Sequence, residues 1–330
     1  MRRRALVVLL VVAVALAYAC VALAGNAGFT PTPPESPNAE RIKASYLWIA
    51  AFALVIFVIV EGALVWFVIR YRRGRRARTV EGPQIHGATR LELIWTAIPV
   101  LILVAIAGFI FYKLPGIQDV PAAKAEGGPL TITVDAHQFY WQFTYPNGAI
   151  SIDEMHAPVL RTVRVDIRSA DVVHSWWIPQ LGGKFDAIPG NPQHTWFRGL
   201  SIGTFRGKCG EFCGVFHAKM AARVKIQPKP AYESWISSTA RQELGRSQWQ
   251  GVCAKCHGLT GRGGYGPAIY NNSLLIQPAG LRELLVNGQN SSGPIAEYMP
   301  PVARGWTDEQ FRALERYMRQ NIYKAQASGG

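Results

Sequence analysis

Acidic residues and cysteines are what this 330-residue sequence has least to spare of. It carries 21 Asp and Glu against 35 Lys and Arg, a formal charge of +14. A balance that basic points first to nucleic acid, but its distribution argues against that partner. Arg70, Arg72, Arg73, Arg75, Arg76 and Arg78 gather directly after an apolar run, where the positive-inside rule places a cytoplasmic loop. A nucleic-acid surface would interleave basic residues with aromatics on a folded domain. The five cysteines are Cys20, Cys209, Cys213, Cys253 and Cys256, and the last four form two close pairs. Disulfide frameworks spread their cysteines further apart; close pairs beside histidines read as metal or haem sites.

The apolar residues concentrate near the N-terminus. Residues 1–24 open with Arg2, Arg3 and Arg4 and continue as an apolar run, the layout of a secretory signal. Ala22-Leu23-Ala24 would suit a signal peptidase, and an uncleaved first transmembrane helix is the alternative. Cys20 stands alone in this leader, and Ala17 is a poor match to a lipid-attachment signal. Residues 25–44 are proline-rich and read as an exposed linker. Residues 45–115 read as a transmembrane hairpin: one span from Tyr46 to Ile69, the arginine-rich loop, and a second span from about Leu93 to Leu114. Trp48 and Trp66 sit near the ends of the first span, as interfacial aromatics do, and Glu61 within it should face a partner or water. With the loop inside, everything after residue 115 lies outside.

Residues 116–228 carry alternating segments, Leu130–Val134, Val163–Ile167 and Val224–Ile226, separated by Gly and Pro turns. This predicts a β-sandwich or barrel. Residues 229–245 read as a second linker, and residues 246–330 as a small α-helical domain. Phe311, Leu314 and Tyr317 recur at helical spacing between Asp308 and Lys324, with Thr307 and Gln310 placed for a capping box.

The densest chemistry lies in Cys209-Gly-Glu211-Phe-Cys213-Gly-Val-Phe-His217-Ala-Lys-Met220. Soft sulfur ligands with imidazole select copper over magnesium or calcium. Two cysteines four apart can bridge two copper ions as thiolates, with His217 a terminal nitrogen and Met220 a soft axial sulfur. A disulfide or a zinc site would leave Met220 without a purpose. A second imidazole must come from elsewhere, and His174, after a strand-like segment, is the candidate. His137, His156 and His194 read as ordinary polar residues, and His86 lies in the loop.

Cys253-Ala-Lys-Cys256-His257 is a c-type haem attachment motif. The two thiols can form thioethers to the vinyl groups, and His257 is the axial imidazole. Met299, in Tyr298-Met299-Pro300-Pro301, is the candidate sixth ligand, since Met/His ligation suits electron transfer. Met318 competes but sits within the final helical stretch.

From about residue 40 to 228 the chain resembles cytochrome c oxidase subunit II. The likeness rests on the Cys209–Met220 loop, on Asp171-Val-Val-His174-Ser-Trp, on Gly183–Gly190, and on Leu91-Glu92-Leu-Ile-Trp95-Thr96-Ala-Ile-Pro99. It implies a cupredoxin-like domain with a binuclear copper centre. Cys209 and Cys213 would bridge the coppers, with His174 and His217 as terminal ligands, and Met220 and the carbonyl of Glu211 as axial ones. It also implies that the Glu211 carboxylate reaches a magnesium ion at the boundary with subunit I, and that Glu92 lies at the mouth of a proton channel. In the family's aromatic stretch, here His137-Gln138-Phe139-Tyr140-Trp141, Phe139 stands where a tryptophan usually receives electrons from a separate cytochrome c.

Together with the haem motif, the resemblance points to caa-type oxidases, in which a fused cytochrome c domain feeds the copper pair. The expected role is that of the electron-transfer subunit of a proton-pumping cytochrome c oxidase in a bacterial plasma membrane. The oxygen-reducing site, with haem a and copper, would lie in subunit I. The expected partners are subunit I, other oxidase subunits, and an external donor such as a cytochrome c or quinol–cytochrome c reductase. The rival roles are electron entry to a copper-containing nitric oxide reductase and membrane-anchored copper delivery.

Overall fold

The computed structural model describes residues 31–71, 84, 86–289 and 298–324. The leader with Cys20 and most of the arginine-rich loop lie outside the described residues. The chain divides into two compact units, residues 40–117 forming one and residues 33–39 with 118 onward the other.

The first unit is a helical hairpin. Helix α1 spans Pro37–Tyr71 and α2 spans Thr89–Lys113. Both are long and apolar enough to cross a membrane, and their apolar side chains are exposed, as a lipid-facing surface requires. Trp48 of α1 stacks on Phe109 of α2 at 4.9 Å, and Arg41 Nη1 donates to the Gly116 carbonyl at 2.9 Å. These contacts join the start of one helix to the end of the other, so the pair runs antiparallel.

The proline-rich segment is not an exposed linker throughout. Pro37 occupies the first position of α1, where its fixed φ suits a helix and its missing N–H costs nothing. Before it, Glu35 pairs through its backbone with Gln180 and Leu200, while the buried Asn38 side chain donates to the Trp196 carbonyl. Residues 33–39 therefore belong with the soluble unit. Proline content signalled a break in regular structure but could not reveal these distant partners.

Among the described residues, the second unit holds ten strands. Three parts make up the β-domain: a five-stranded sheet ordered β3-β2-β1-β5-β8, a three-stranded sheet ordered β4-β10-β9, and the β6–β7 hairpin. In sequence these are β1 Leu130–His137, β2 Tyr140–Thr144, β3 Ile150–Ile152, β4 Glu154–Pro158 and β5 Thr162–Ser169. They continue with β6 His174–Trp176, β7 Phe185–Ala187, β8 Gln193–Arg198, β9 Gly203–Lys208 and β10 Ala221–Gln227. Alternation does what the sequence predicts: Ile132, Val134 and Ala136 of β1 and Val224 and Ile226 of β10 are buried, while Arg223 and Lys225 are exposed. The result is the expected cupredoxin-like sandwich.

The segment 229–245 is helical rather than a free linker. Helices α3 (Lys229–Ser234), α4 (Ala240–Gln248) and α5 (Ala254–His257) run on through π-helical turns at Trp235–Thr239 and Trp249–Cys253. Among the described residues, the C-terminal domain continues with α6 (Pro278–Asn287) and α7 (Asp308–Asn321). The α7 start has the predicted capping box: Thr307 Oγ1 accepts from the Gln310 amide, and Gln310 Oε1 accepts from the Thr307 amide.

The helical core is not built by helices alone. Tyr140, Ile150 and Ile152 from β2 and β3 pack in the same buried cluster as Leu244, Trp249, Leu314 and Met318. At Gly251 a β-carbon would stand 2.5 Å from the Ile152 side chain, so the absence of one lets the helix lie against β3. Gly245 serves the same purpose between helices, where a β-carbon would meet the Ala313 carbonyl at 2.2 Å. That neighbour is backbone and cannot step aside. Gly245→Ala is therefore expected to destabilise the C-terminal domain by about 1–3 kcal/mol through overpacking. The effect should appear as a lower unfolding midpoint for that domain in a denaturant titration followed by tryptophan fluorescence.

Candidate functional site

The loop from Cys209 to Met220 leaves β9 and returns to β10, and the two strands pair antiparallel from Lys208↔Ala221 onward. The fold thereby draws both ends of the loop together: the Cys209 amide donates to the Met220 carbonyl at 2.9 Å. His174 enters from β6, a different hairpin, and the Gly210 amide donates to the Ser175 carbonyl at 2.9 Å to hold that strand against the loop.

The predicted ligand set converges. The donor atoms of His174, Cys209 and Cys213 lie within 4.8 Å of one another, and all three residues are buried. Each sulfur has its own imidazole: Cys209 Sγ is 3.9 Å from His174 Nδ1, and Cys213 Sγ is 3.6 Å from His217 Nδ1. Each also faces a weaker donor, the Glu211 carbonyl at 3.1 Å from Cys209 Sγ and Met220 Sδ at 3.8 Å from Cys213 Sγ. Two thiols, two imidazoles, a thioether and a carbonyl form a soft donor set shared between the two sulfurs, with His174, Cys209, Cys213 and Met220 buried and His217 partly buried. It fits a pair of copper ions better than any hard cation.

Electrostatics prepare the set. Burial works against charge on His174, but hydrogen bonding to Asp171 and Cys209 outweighs it and raises its pKa. Asp171 Oδ1 lies 2.8 Å from His174 Nε2, which turns Nδ1 toward the sulfurs. Asp171 also accepts from the Gln138 and Val172 amides. Burial opposes its charge, yet these bonds hold the carboxyl below its usual range. Within the cysteine pair, hydrogen bonding from Cys213 stabilises ionised Cys209 and lowers its pKa, while Cys213 is pushed up. Asp171 carries this orientation, and its residue type alone did not mark it; its place three residues before His174 was the available signal.

The second site is a cavity of about 500 Å³ whose lining is chiefly apolar. Cys253, Cys256 and His257 line it together with Met299 and Met318. The Pro267 carbonyl lies 2.8 Å from His257 Nδ1, so that nitrogen carries the proton and Nε2 is free to ligate. Gly266 lies flat against the ring, where a β-carbon would come within 3.1 Å of two imidazole atoms. Met299 is fixed by two backbone hydrogen bonds with Gln289, at 2.9 and 3.0 Å. Burial pushes the Cys253 thiol up to about 12 and raises Cys256 as well. The volume, the apolar lining and the thiol, imidazole and thioether groups fit a covalently held haem.

The remaining predicted residues lie apart from these donors. The Glu211 carboxylate is half-exposed and 3.4 Å from Lys184 Nζ. Glu92 sits in the first turn of α2 and accepts from the Ala88 amide at 3.2 Å, capping its own helix. Phe139, Tyr140 and Trp141 are all buried, so the aromatic stretch is not an open docking surface. Trp141 packs edge-on to His174 at 6.1 Å, whereas the Tyr140 hydroxyl donates to the Val302 carbonyl at 2.7 Å.

Comparison with known proteins gives the same order of parts. The model of the cytochrome C oxidase subunit II transmembrane domain matches residues 24–112, and that of its periplasmic domain matches residues 149–227. A cytochrome c oxidase subunit 2 from Alkalihalophilus pseudofirmus is 32% identical over 268 residues, covering 75% of this chain and 76% of its own length.

The chain belongs to the cytochrome c oxidase subunit 2 family.

A second subunit 2, from Synechocystis sp., is 29% identical over 276 residues, covering 71% of this chain and 82% of its own. The crystal structure of the periplasmic domain of subunit II from Bradyrhizobium japonicum is 33% identical, covering 38% of this chain and 98% of that one, with a TM-score of 0.35. The model of the cbb3-type cytochrome C oxidase subunit III matches residues 240–318, and the chain carries a fused C-terminal cytochrome c domain. Family membership implies an electron-transfer role, a copper centre and haem c. Because Asp171 fixes the direction of His174, Asp171→Asn puts a donor amide among donors. It is expected to weaken metal retention by about 10- to 100-fold, measured by competition with a copper chelator.

Proposed function

We propose that this chain is the electron-entry subunit of a proton-pumping cytochrome c oxidase, receiving electrons at its own haem c. From there they pass through a binuclear copper centre to subunit I, where dioxygen is reduced to water. The observation that carries the reading is the pairing between the β9–β10 loop and His174 of β6, one imidazole and one weak donor for each of two buried sulfurs. When bound, the copper pair and the haem would supply one-electron oxidation and reduction.

The residues divide this work. Cys209, Cys213, His174 and His217 would hold the two coppers, with Met220 and the Glu211 carbonyl as the weaker donors. Burial of Met220 and both thiols excludes water. Cys253 and Cys256 would hold haem c, with His257 and Met299 offering an imidazole and a thioether to its iron. Met299 is preferred to Met318 because Met318 belongs to the packed face of α7. The half-exposed Glu211 carboxylate would reach a magnesium ion shared with subunit I, and Glu92 would stand at the mouth of a proton channel. The two spans would lie in a bacterial plasma membrane, with both soluble domains on its outer side. The external donor would be a cytochrome c or a quinol–cytochrome c reductase.

Spectroscopy on the purified full-length chain tests this. The expected spectrum combines a two-copper mixed-valence signal with a low-spin haem c. Cys213→Ser should abolish the first and spare the second, and Cys256→Ala should remove one thioether and shift the haem band without touching the copper signal. Mononuclear copper of the ordinary type, or haem that extracts into acid acetone, would refute the assignment.

A further inference from the structure

Between the two sites the structure holds a junction that neither motif describes. Gln138 and Phe139, in the turn joining β1 to β2, line the cavity that carries Cys253, Cys256 and His257. The same two residues touch the copper-site loop. Gln138 Nε2 donates to the Cys213 carbonyl at 2.6 Å, and the Gln138 amide donates to Asp171, the residue that orients His174. Gly214 permits this approach: at φ +130° it has no β-carbon, and one would stand 3.0 Å from both Gln138 Nε2 and the Phe139 ring. Phe139 packs edge-on to Phe216 at 5.5 Å, and Phe216 packs edge-on to Tyr265 of the cytochrome domain at 4.6 Å.

A single side chain from the cytochrome domain clamps the turn. Lys255, between the two cysteines of the haem motif, extends its ammonium to the Phe139 carbonyl at 2.8 Å and to Asp153 Oδ2 at 2.6 Å. Asp153 uses its other oxygen to accept the Trp141 amide at 3.0 Å. Both members of the Lys255–Asp153 pair are largely buried. An ion pair shielded from water is directional and resists salt in a way that a surface pair does not.

We infer that Lys255 is the positioning residue that seats the haem-bearing domain on the Gln138–Phe139 turn and thereby fixes the distance between the haem and copper sites. The inference rests on the proposed function and deepens it. With both groups bound, one electron would pass from the haem site to the copper site, with no bond broken, and Lys255 would hold the two sites in place. A fixed seat makes the transfer distance a property of the fold rather than of a tethered encounter, and it leaves Phe139 covered against a separate donor.

The test uses the full-length chain in detergent with both centres loaded, together with the same chain free of cofactors. A ruthenium photoreductant reduces the haem in a flash, and the copper and haem bands report the transfer. Lys255→Met and Gln138→Leu are each expected to slow transfer by about tenfold or more, with the haem spectrum and the mixed-valence signal unchanged. Lys255→Arg should recover much of the rate. In the cofactor-free chain, Lys255→Met should accelerate amide exchange over residues 139–142 while β5 and β10 keep their protection. Wild-type transfer times in either variant with both centres intact overturn the inference. Where a variant fails to load a centre, unchanged exchange over residues 139–142 in Lys255→Met overturns it. If wild-type protein lacks either the two-copper signal or covalent haem, it is the functional reading that fails instead.

Discussion

The pleat of strand β2 is the constraint on which both sites depend. Successive side chains of a strand point to opposite faces, and β2 uses both. Trp141 and Phe143 enter the sandwich core beneath the copper-site hairpin, where Trp141 meets His174 and Trp176. Tyr140 and Gln142 turn the other way, and Tyr140 joins the core of the cytochrome domain. There the Trp306 indole donates to the Tyr140 hydroxyl, and Gln310 donates to the Gln142 side chain. A one-residue slip in register would exchange these faces and unmake both cores together.

The cytochrome domain is thus a layer laid on the β-domain rather than a bead on a string. Polar groups buried at the seam have partners across it, which makes the seam specific as well as apolar. Gln310 shows the economy of the arrangement: its carbonyl oxygen caps α7 and its amide crosses to Gln142. A mobile donor must find its acceptor at every turnover, whereas a seated one has already lost that freedom on folding. The helical path from Lys229 to His257 ends at the haem motif, so the position of the haem residues follows from the packing of α4 against β3.

Much of this was legible in order along the chain. The membrane hairpin, the strand alternation, the α7 capping box and both ligand motifs depend on neighbours within a few residues, and short-range patterns report such neighbours directly. The pairing of His174 with Cys209 was legible only as a requirement that an imidazole arrive from elsewhere. Residues 33–39 and 229–245 were harder to read. Proline and polar composition suggested linkers, while the structure pairs the first with Gln180, Trp196 and Leu200 and makes the second helical. Propensity yields there to contacts made by residues far away in sequence.

The sequence by itself determined the chemistry: which soft donors are present, how the two thiols are spaced, and that a haem motif follows them. Residue type and local spacing are enough for that, because ligand preference is a property of the side chain. Only the tertiary structure decided how the two sites are joined. Gln138, Asp153 and Lys255 carry no motif that signals a junction, and Lys255 reaches its acceptors across 102 and 116 residues of chain. Their role exists only once the β1–β2 turn and helix α5 are brought face to face, since a hydrogen bond is set by distance in space and not by separation in sequence.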